Sequence, residues 1–267
     1  MTQRPAYFEP VASGRYRPTE HAGGAWRDDE IHFSPLGGLI THAIDLHRAD
    51  RARADQHGDD DKQLGRISFD ILGQLGQDEC EIQVETIRPG RTIELVQASA
   101  TIAGRAAVRA RAWFIAATDT TEVAGGAPEP LPAPDQASGH PMTETWGGGY
   151  VASLEVRAIS PARPGRTTAW LRTGTDLVAG ESVSPHAAFI ALVDTANGIA
   201  VRQPPTAWMY PNLDLTVHLH RQPAGAWVGL DTSVTFGPSG LGLTSTTLHD
   251  VAGPVGRAEQ ILTVRPL

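Results

Sequence analysis

Cysteine and lysine are nearly missing from this sequence: its 267 residues hold one of each, Cys80 and Lys62. A single cysteine excludes an intrachain disulfide and a zinc site built from several thiolates, and it fits a reducing compartment. Glu79 and Glu81 flank it and would raise the thiol pKa, which argues against a cysteine nucleophile. Long apolar runs are absent too. No stretch approaches the roughly 20 residues of a membrane helix, and MTQRPAYFEP has no apolar core of signal-peptide length. The expectation is a cytoplasmic protein without membrane insertion. A positive excess is also lacking, since the net charge of −8 gives no basic footprint for nucleic acid or an anionic membrane. The positive charge is almost all arginine, whose planar fork suits phosphate, although an arginine-biased codon usage explains the same composition. Finally, there is no Gly-x-Ser-x-Gly elbow, phosphate loop or dinucleotide fingerprint. His218 and His220 share a strand face, but spacing identifies no third ligand, so no metal or cofactor is expected.

What is present is a pattern stated twice. The Pro/Gly/Ala-rich stretch 118–149 lacks helical or strand periodicity and reads as a linker between units 1–117 and 150–267. Each unit begins with a Ser-Pro helix start, Ser34-Pro35 and Ser184-Pro185. Each continues with a small-residue apolar helix and then an aspartate-bearing strand, around Asp70 and Asp214. Alternating strands follow, broken by a first turn (Arg88-Pro89-Gly90; Gly237-Pro238-Ser239-Gly240) and by an Ala-Gly turn (Ala103-Gly104; Ala252-Gly253). The helix-to-strand connection is longer in the first unit, where residues 49–62, ADRARADQHGDDDK, read as a charged surface loop. One helix followed by long antiparallel strands predicts an α+β unit with the sheet curled around the helix. The second helix, residues 184–197, has no polar stripe and is expected to be enclosed on all sides, with Gly198 terminating it.

Asp194 falls in the last turn of that apolar helix. Desolvation and the negative end of the helix dipole both raise its pKa, which suits a general base near neutral pH. A structural helix-end aspartate bonded to Asn197 is the competing reading. In LDTSVTFGPSGLG, Ser233 and Thr235 share one strand face while Thr232 and Val234 share the other. In GRAEQILTV, Gln260 carries an amide able to donate to and accept from a water.

Taken together, the two-unit plan, VDTANG, DLTVHLHR, the tryptophan of AWVGL and the closing GRAEQ resemble the double-hotdog acyl-CoA thioesterases, in particular the branch related to the bacterial type II enzyme. The resemblance is clearest from Trp170 to Pro266. It implies a double hotdog, with two antiparallel sheets each wrapped around a central helix, and hydrolysis of acyl-CoA or a related acyl thioester. It also implies that Asp194 is the base and that Thr235 and Gln260 position the water, with Ser233 as the substitute hydroxyl. Asn197, three residues after Asp194, is expected to bind substrate. Backbone N–H groups near a helix start would stabilise the oxyanion. In the first unit Ile44, Ala112 and Ile87 fall at the positions of Asp194, Gln260 and Thr235, so one active site per chain is expected, with a degenerate first site. The fold's sheet pairing leaves a homo-oligomer open. Rival readings are a non-catalytic acyl-thioester binder and, ranked last because such relatives carry a histidine shortly after the aspartate and none follows Asp194, an enoyl-CoA hydratase.

Overall fold

The computed structural model describes residues 4–54 and 61–267. In chain order, β1 (Ala6–Ala12) and β2 (Arg15–Pro18) lead into the helix α1 (Phe33–Ala54), followed by β3 (Lys62–Ile71), β4 (Cys80–Arg88), β5 (Ile93–Ile102) and β6 (Arg105–Ala116). The rest of the chain forms β7 (Ser138–Gly139), the one-turn helix α2 (Gly149–Ala152), β8 (Leu154–Ala158), β9 (Arg166–Thr173) and β10 (Asp176–Val178). The helices α3 (Pro185–Val193) and α4 (Thr195–Ile199) come next, then β11 (Trp208–Met209), β12 (Asp214–Leu219), β13 (Val228–Phe236), β14 (Leu241–Asp250), β15 (Gly253–Thr263) and β16 (Arg265–Pro266).

The alternation that makes a strand one-sided is plain in β5, IELVQASATI, where every second residue is buried. Its hairpin to β6 turns through Ala103 (φ 49°) and Gly104 (φ 75°), the doubly left-handed turn that matches the twist of paired strands. Such strands build one 14-stranded sheet rather than two separate ones. The two halves join where β3 pairs antiparallel with β12, Asp70 lying opposite Asp214. Read outward from that junction, β3-β6-β5-β4-β2-β1 on one side mirrors β12-β15-β14-β13-β9-β8 on the other, so the repeated sequence pattern is a repeated strand order. The mirror is broken at one edge, where β10 from the second half pairs parallel with β1.

Against the sheet, α1 packs on α3, with α1 also on β4 and β5 and α3 on β13. Gly38 makes the approach possible, because a Cβ there would fall inside contact distance of Ala191. Ser184 caps α3, its Oγ accepting from the Ala187 N–H at 3.1 Å. The matching Ser34 does not cap α1: the helix begins one residue earlier, and the Ser34 N–H donates to His32 Nδ1 at 3.0 Å. Two helix expectations need correction. Phe189 through Val193 are buried but Ala188 faces solvent. The helix also breaks at Asp194 instead of ending at Gly198, which lies within α4 and whose carbonyl accepts from Trp146 Nε1. The expected charged loop is partly helix, because α1 runs on to Ala54, and residues 55–60 lie outside the described residues. The segment 118–149 is tied to the second half, with Trp170 Nε1 donating to the Pro132 carbonyl at 2.8 Å.

Candidate active site

Three elements converge on the break between α3 and α4. Asp194 sits at the break, 4 % exposed. Gln260 comes from β15, where the antiparallel register places it opposite Thr244, on the buried face. Its Nε2 donates to Asp194 Oδ1 at 2.7 Å. Asn212, just before β12, donates from Nδ2 to the same oxygen at 2.8 Å and to the Asp214 carbonyl at 3.0 Å. Thus Oδ1 has two amide donors.

The other oxygen, Oδ2, faces the N-terminal half. His32 Nδ1 lies 3.6 Å from it, yet the pair is no salt bridge. Nδ1 already accepts the Ser34 N–H, so the imidazole proton belongs on Nε2. Burial holds the His32 pKa down at about 3, and the positive end of α1 acts in the same direction. The two atoms are therefore neighbours without a hydrogen bond between them. Burial raises the pKa of Asp194 to about 7, an effect the Asn212 and Gln260 hydrogen bonds offset only in part. Behind the site, the Tyr150 ring packs against His32 at a tilt of 31° with centroids 4.3 Å apart and shares a 2.6 Å hydrogen bond with Thr195.

Asp194, His32 and Asn212 open onto a cavity of about 500 Å³, within the range of small-molecule sites. Its walls are largely apolar, including Trp26, Ile31, Phe33, Leu75 and Trp146. Asn197 is also in the wall, its amide held by the Tyr210 carbonyl at 3.1 Å.

Thr235 and Ser233 do not join this cluster. On the buried face Val234 pairs with Thr244, which pairs with Gln260; on the opposite face Thr235 pairs with Leu243 and then Ile261. Thr235 is exposed, as are Leu243 and Ile261, and Ser233 shares that outer face, its Oγ 3.5 Å from the Ser245 carbonyl. Strand parity thus excludes both hydroxyls, and the third group on the carboxylate is the Asn212 amide. Sequence reasoning missed Asn212 and His32. The signal for the first was the asparagine two residues before the strand aspartate Asp214, and for the second the histidine just ahead of Phe33-Ser34-Pro35.

In the first half Ile44 and Ala112 are buried and apolar while Ile87 is exposed, and Asp45 is engaged by Ser184 Oγ at 2.7 Å and His186 Nε2 at 2.9 Å. His218 is exposed, and among the described residues no three His, Cys, Asp or Glu side chains gather as a metal site. Cys80 is buried, and desolvation, then Glu81, pushes its thiol up to about 12.

Residues 127–264 match the acyl-CoA thioesterase C-terminal domain, and residues 23–115 match the N-terminal domain of the same family. The chain belongs to the acyl-CoA thioesterase family. No curated protein matches it. Among solved structures, a conserved protein of unknown function with a hot dog fold from Alicyclobacillus acidocaldarius aligns with TM-score 0.71 at 13 % identity, covering 96 % of this chain and 95 % of that one. An acyl-CoA thioesterase II, TesB2, from Mycobacterium marinum aligns with TM-score 0.63 at 17 % identity, covering 97 % and 96 %. The tesB protein of Mycobacterium avium subsp. paratuberculosis aligns with TM-score 0.64 at 17 % identity over the same shares. At these identities the likeness is one of fold, and it makes this thioesterase-family chain a mixed α+β protein of the hotdog type.

Proposed function

We propose that this chain is a double-hotdog enzyme that hydrolyses acyl-CoA thioesters at one site per chain, with Asp194 as the general base. The division into units 1–117 and 150–267 joined by 118–149 is part of this reading, with the first unit serving as wall and packing partner. One observation carries it: the carboxylate of Asp194 has one oxygen fixed by two amides, the other turned to the cavity side without a donor, and a pKa near 7.

In the proposed reaction a water gives a proton to Asp194 Oδ2 as its oxygen bonds to the thioester carbonyl carbon. The resulting tetrahedral oxyanion collapses, the C–S bond breaks, and CoA leaves as a thiolate that is protonated from Asp194 or from solvent. A thiolate leaves readily, so activating water and stabilising the oxyanion are the main demands on the protein. Gln260 and Asn212 are positioning residues that aim Oδ2. Gln260 acts on the water through Asp194, since its Nε2 holds Oδ1 and its side chain stands behind the carboxylate, buried. The apolar walls suit an acyl group. A hydratase needs a second acid–base group on the water, and the nearest candidate nitrogen, His32 Nδ1, is already occupied by a backbone N–H.

The test is Asp194→Asn assayed with a panel of acyl-CoA chain lengths. The change keeps the size of the side chain, and turnover is expected to fall by a factor of about 10² to 10⁴ while near-UV circular dichroism stays the same. Undiminished hydrolysis would remove Asp194 from the mechanism. Acyl-CoA binding by the wild-type chain without turnover would identify a carrier instead.

A further inference from the structure

We propose that Nε2–H of His32 donates the hydrogen bond that polarises the thioester carbonyl at the Asp194 site, so that the N-terminal half supplies the electrophile for a base carried by the C-terminal half. This rests on the hydrolase reading.

The tautomer follows from one contact. Ser34 N–H points at Nδ1 from 3.0 Å, which fixes the lone pair there and the proton on Nε2. The tilted contact with the Tyr150 ring, centroids 4.3 Å apart, restricts the orientation of the imidazole. His32 lines the cavity, and Nε2 neither bonds to a protein group among the described residues nor counts among the buried polar atoms that lack a partner. It is therefore an accessible donor on the cavity side of a ring whose other nitrogen lies 3.6 Å from the base oxygen.

Beside the Asp194 carboxylate, competing donors are few. The helix-start N–H groups that usually hold an oxyanion are depleted here: that of Ser34 is bonded to His32, and Pro35 has none. Both N–H bonds of the Asn212 amide go to Asp194 Oδ1 and the Asp214 carbonyl. A neutral imidazole polarising a carbonyl from a helix N-terminus has precedent in enzyme chemistry, and burial of His32 keeps the ring neutral throughout the working pH range.

Two substitutions separate this role from a structural one. In His32→Asn the side-chain carbonyl can replace Nδ1 as acceptor for Ser34 N–H, but nothing replaces Nε2. In His32→Gln the amide can reach the Nε2 position. A catalytic donor predicts that Asn lowers kcat about 100-fold with KM little changed, and that Gln restores part of the loss. A structural role predicts the reverse order. Wild-type kcat in His32→Asn, or equal loss in both variants, would overturn the proposal.

A second measurement does not depend on turnover. In Asp194→Asn protein, the infrared carbonyl band of bound octanoyl-CoA labelled with ¹³C at the thioester should move to lower frequency than in water, and the shift should vanish in Asp194→Asn/His32→Asn. An unshifted band, or a shift that survives the second substitution, would overturn the proposal. A wild-type chain that binds labelled acyl-CoA with the shifted band yet never hydrolyses it would sink the hydrolase reading and leave the His32 contact standing.

Discussion

Asp194 is set apart by the unequal treatment of its two oxygens. Oδ1 takes both amides and Oδ2 takes none, so the protein fixes the carboxylate without quenching the atom that must accept a proton. The rate should therefore rise with pH through an acid limb centred near 7, as Asp194 ionises. Asn212→Leu removes a donor that lowers this pKa, and the limb in kcat/KM should move up by on the order of 1 unit. A limb that stays in place or moves down would refute the role given to Asn212. Thr235→Ala, on the outer sheet face, should leave kcat within about 2-fold of wild type, as is usual for a surface change away from special features. Stability carries the same signature with a definite sign. The Asp194 carboxyl keeps its proton up to about 7 in the folded chain but loses it near 3.8 when unfolded. The native state thus binds more protons across that window, and the contribution present below about 4 is lost as pH rises through 7. Asp194→Asn should abolish this dependence and be the more stable protein above pH 7, by roughly 4 kcal/mol at most. Urea midpoints at pH 5 and pH 8 measure it.

Among the elements, the contact of α1 with α3 fixes the site, because it carries the His32 end of one helix to the Asp194 end of the other. Alanine is favoured over glycine by about 1 kcal/mol inside a helix, yet Gly38→Ala should destabilise by about 1–3 kcal/mol, since the new methyl collides with Ala191. Gly37→Ala, whose Cβ would come no nearer than 3.4 Å to its neighbours, Phe33 and Ile190, is the control, and an unchanged urea midpoint in Gly38→Ala would refute the packing argument. The elements also show why only part of the site could be read from sequence. The small-residue helix, the Ser184 cap, the doubled strand order and the buried position of Asp194 at a helix end follow from local pattern. Strand parity on β13 does not. Alternation groups Ser233 with Thr235, but which face meets the helices depends on a register reaching from β13 through β14 to β15. His32 and Asn212 stand far from Asp194 in sequence, and only tertiary packing brings them to it. The tail of α1 departs from its local pattern for a related reason: its charges suggest a solvated loop, whereas Arg48 and Arg51 reach Glu94 at 3.0 and 2.6 Å and hold the helix onto the sheet.

At the scale of the whole molecule, the β3–β12 junction, the helix pair and the placement of β10 leave neither half independent. Unfolding should therefore occur in one step, with far-UV circular dichroism and tryptophan fluorescence tracing the same urea transition. Two separated transitions would contradict this coupling. The β10–β1 pairing has a consequence during synthesis as well. While residues 1–150 have left the ribosome and Asp176–Val178 have not, β1 has a bare hydrogen-bonding flank, the kind of flank that recruits stray strands from other chains. A stalled polypeptide ending within the Pro/Gly/Ala-rich stretch should be more prone to clump than the finished one, and translation past Val178 supplies the segment that closes the gap.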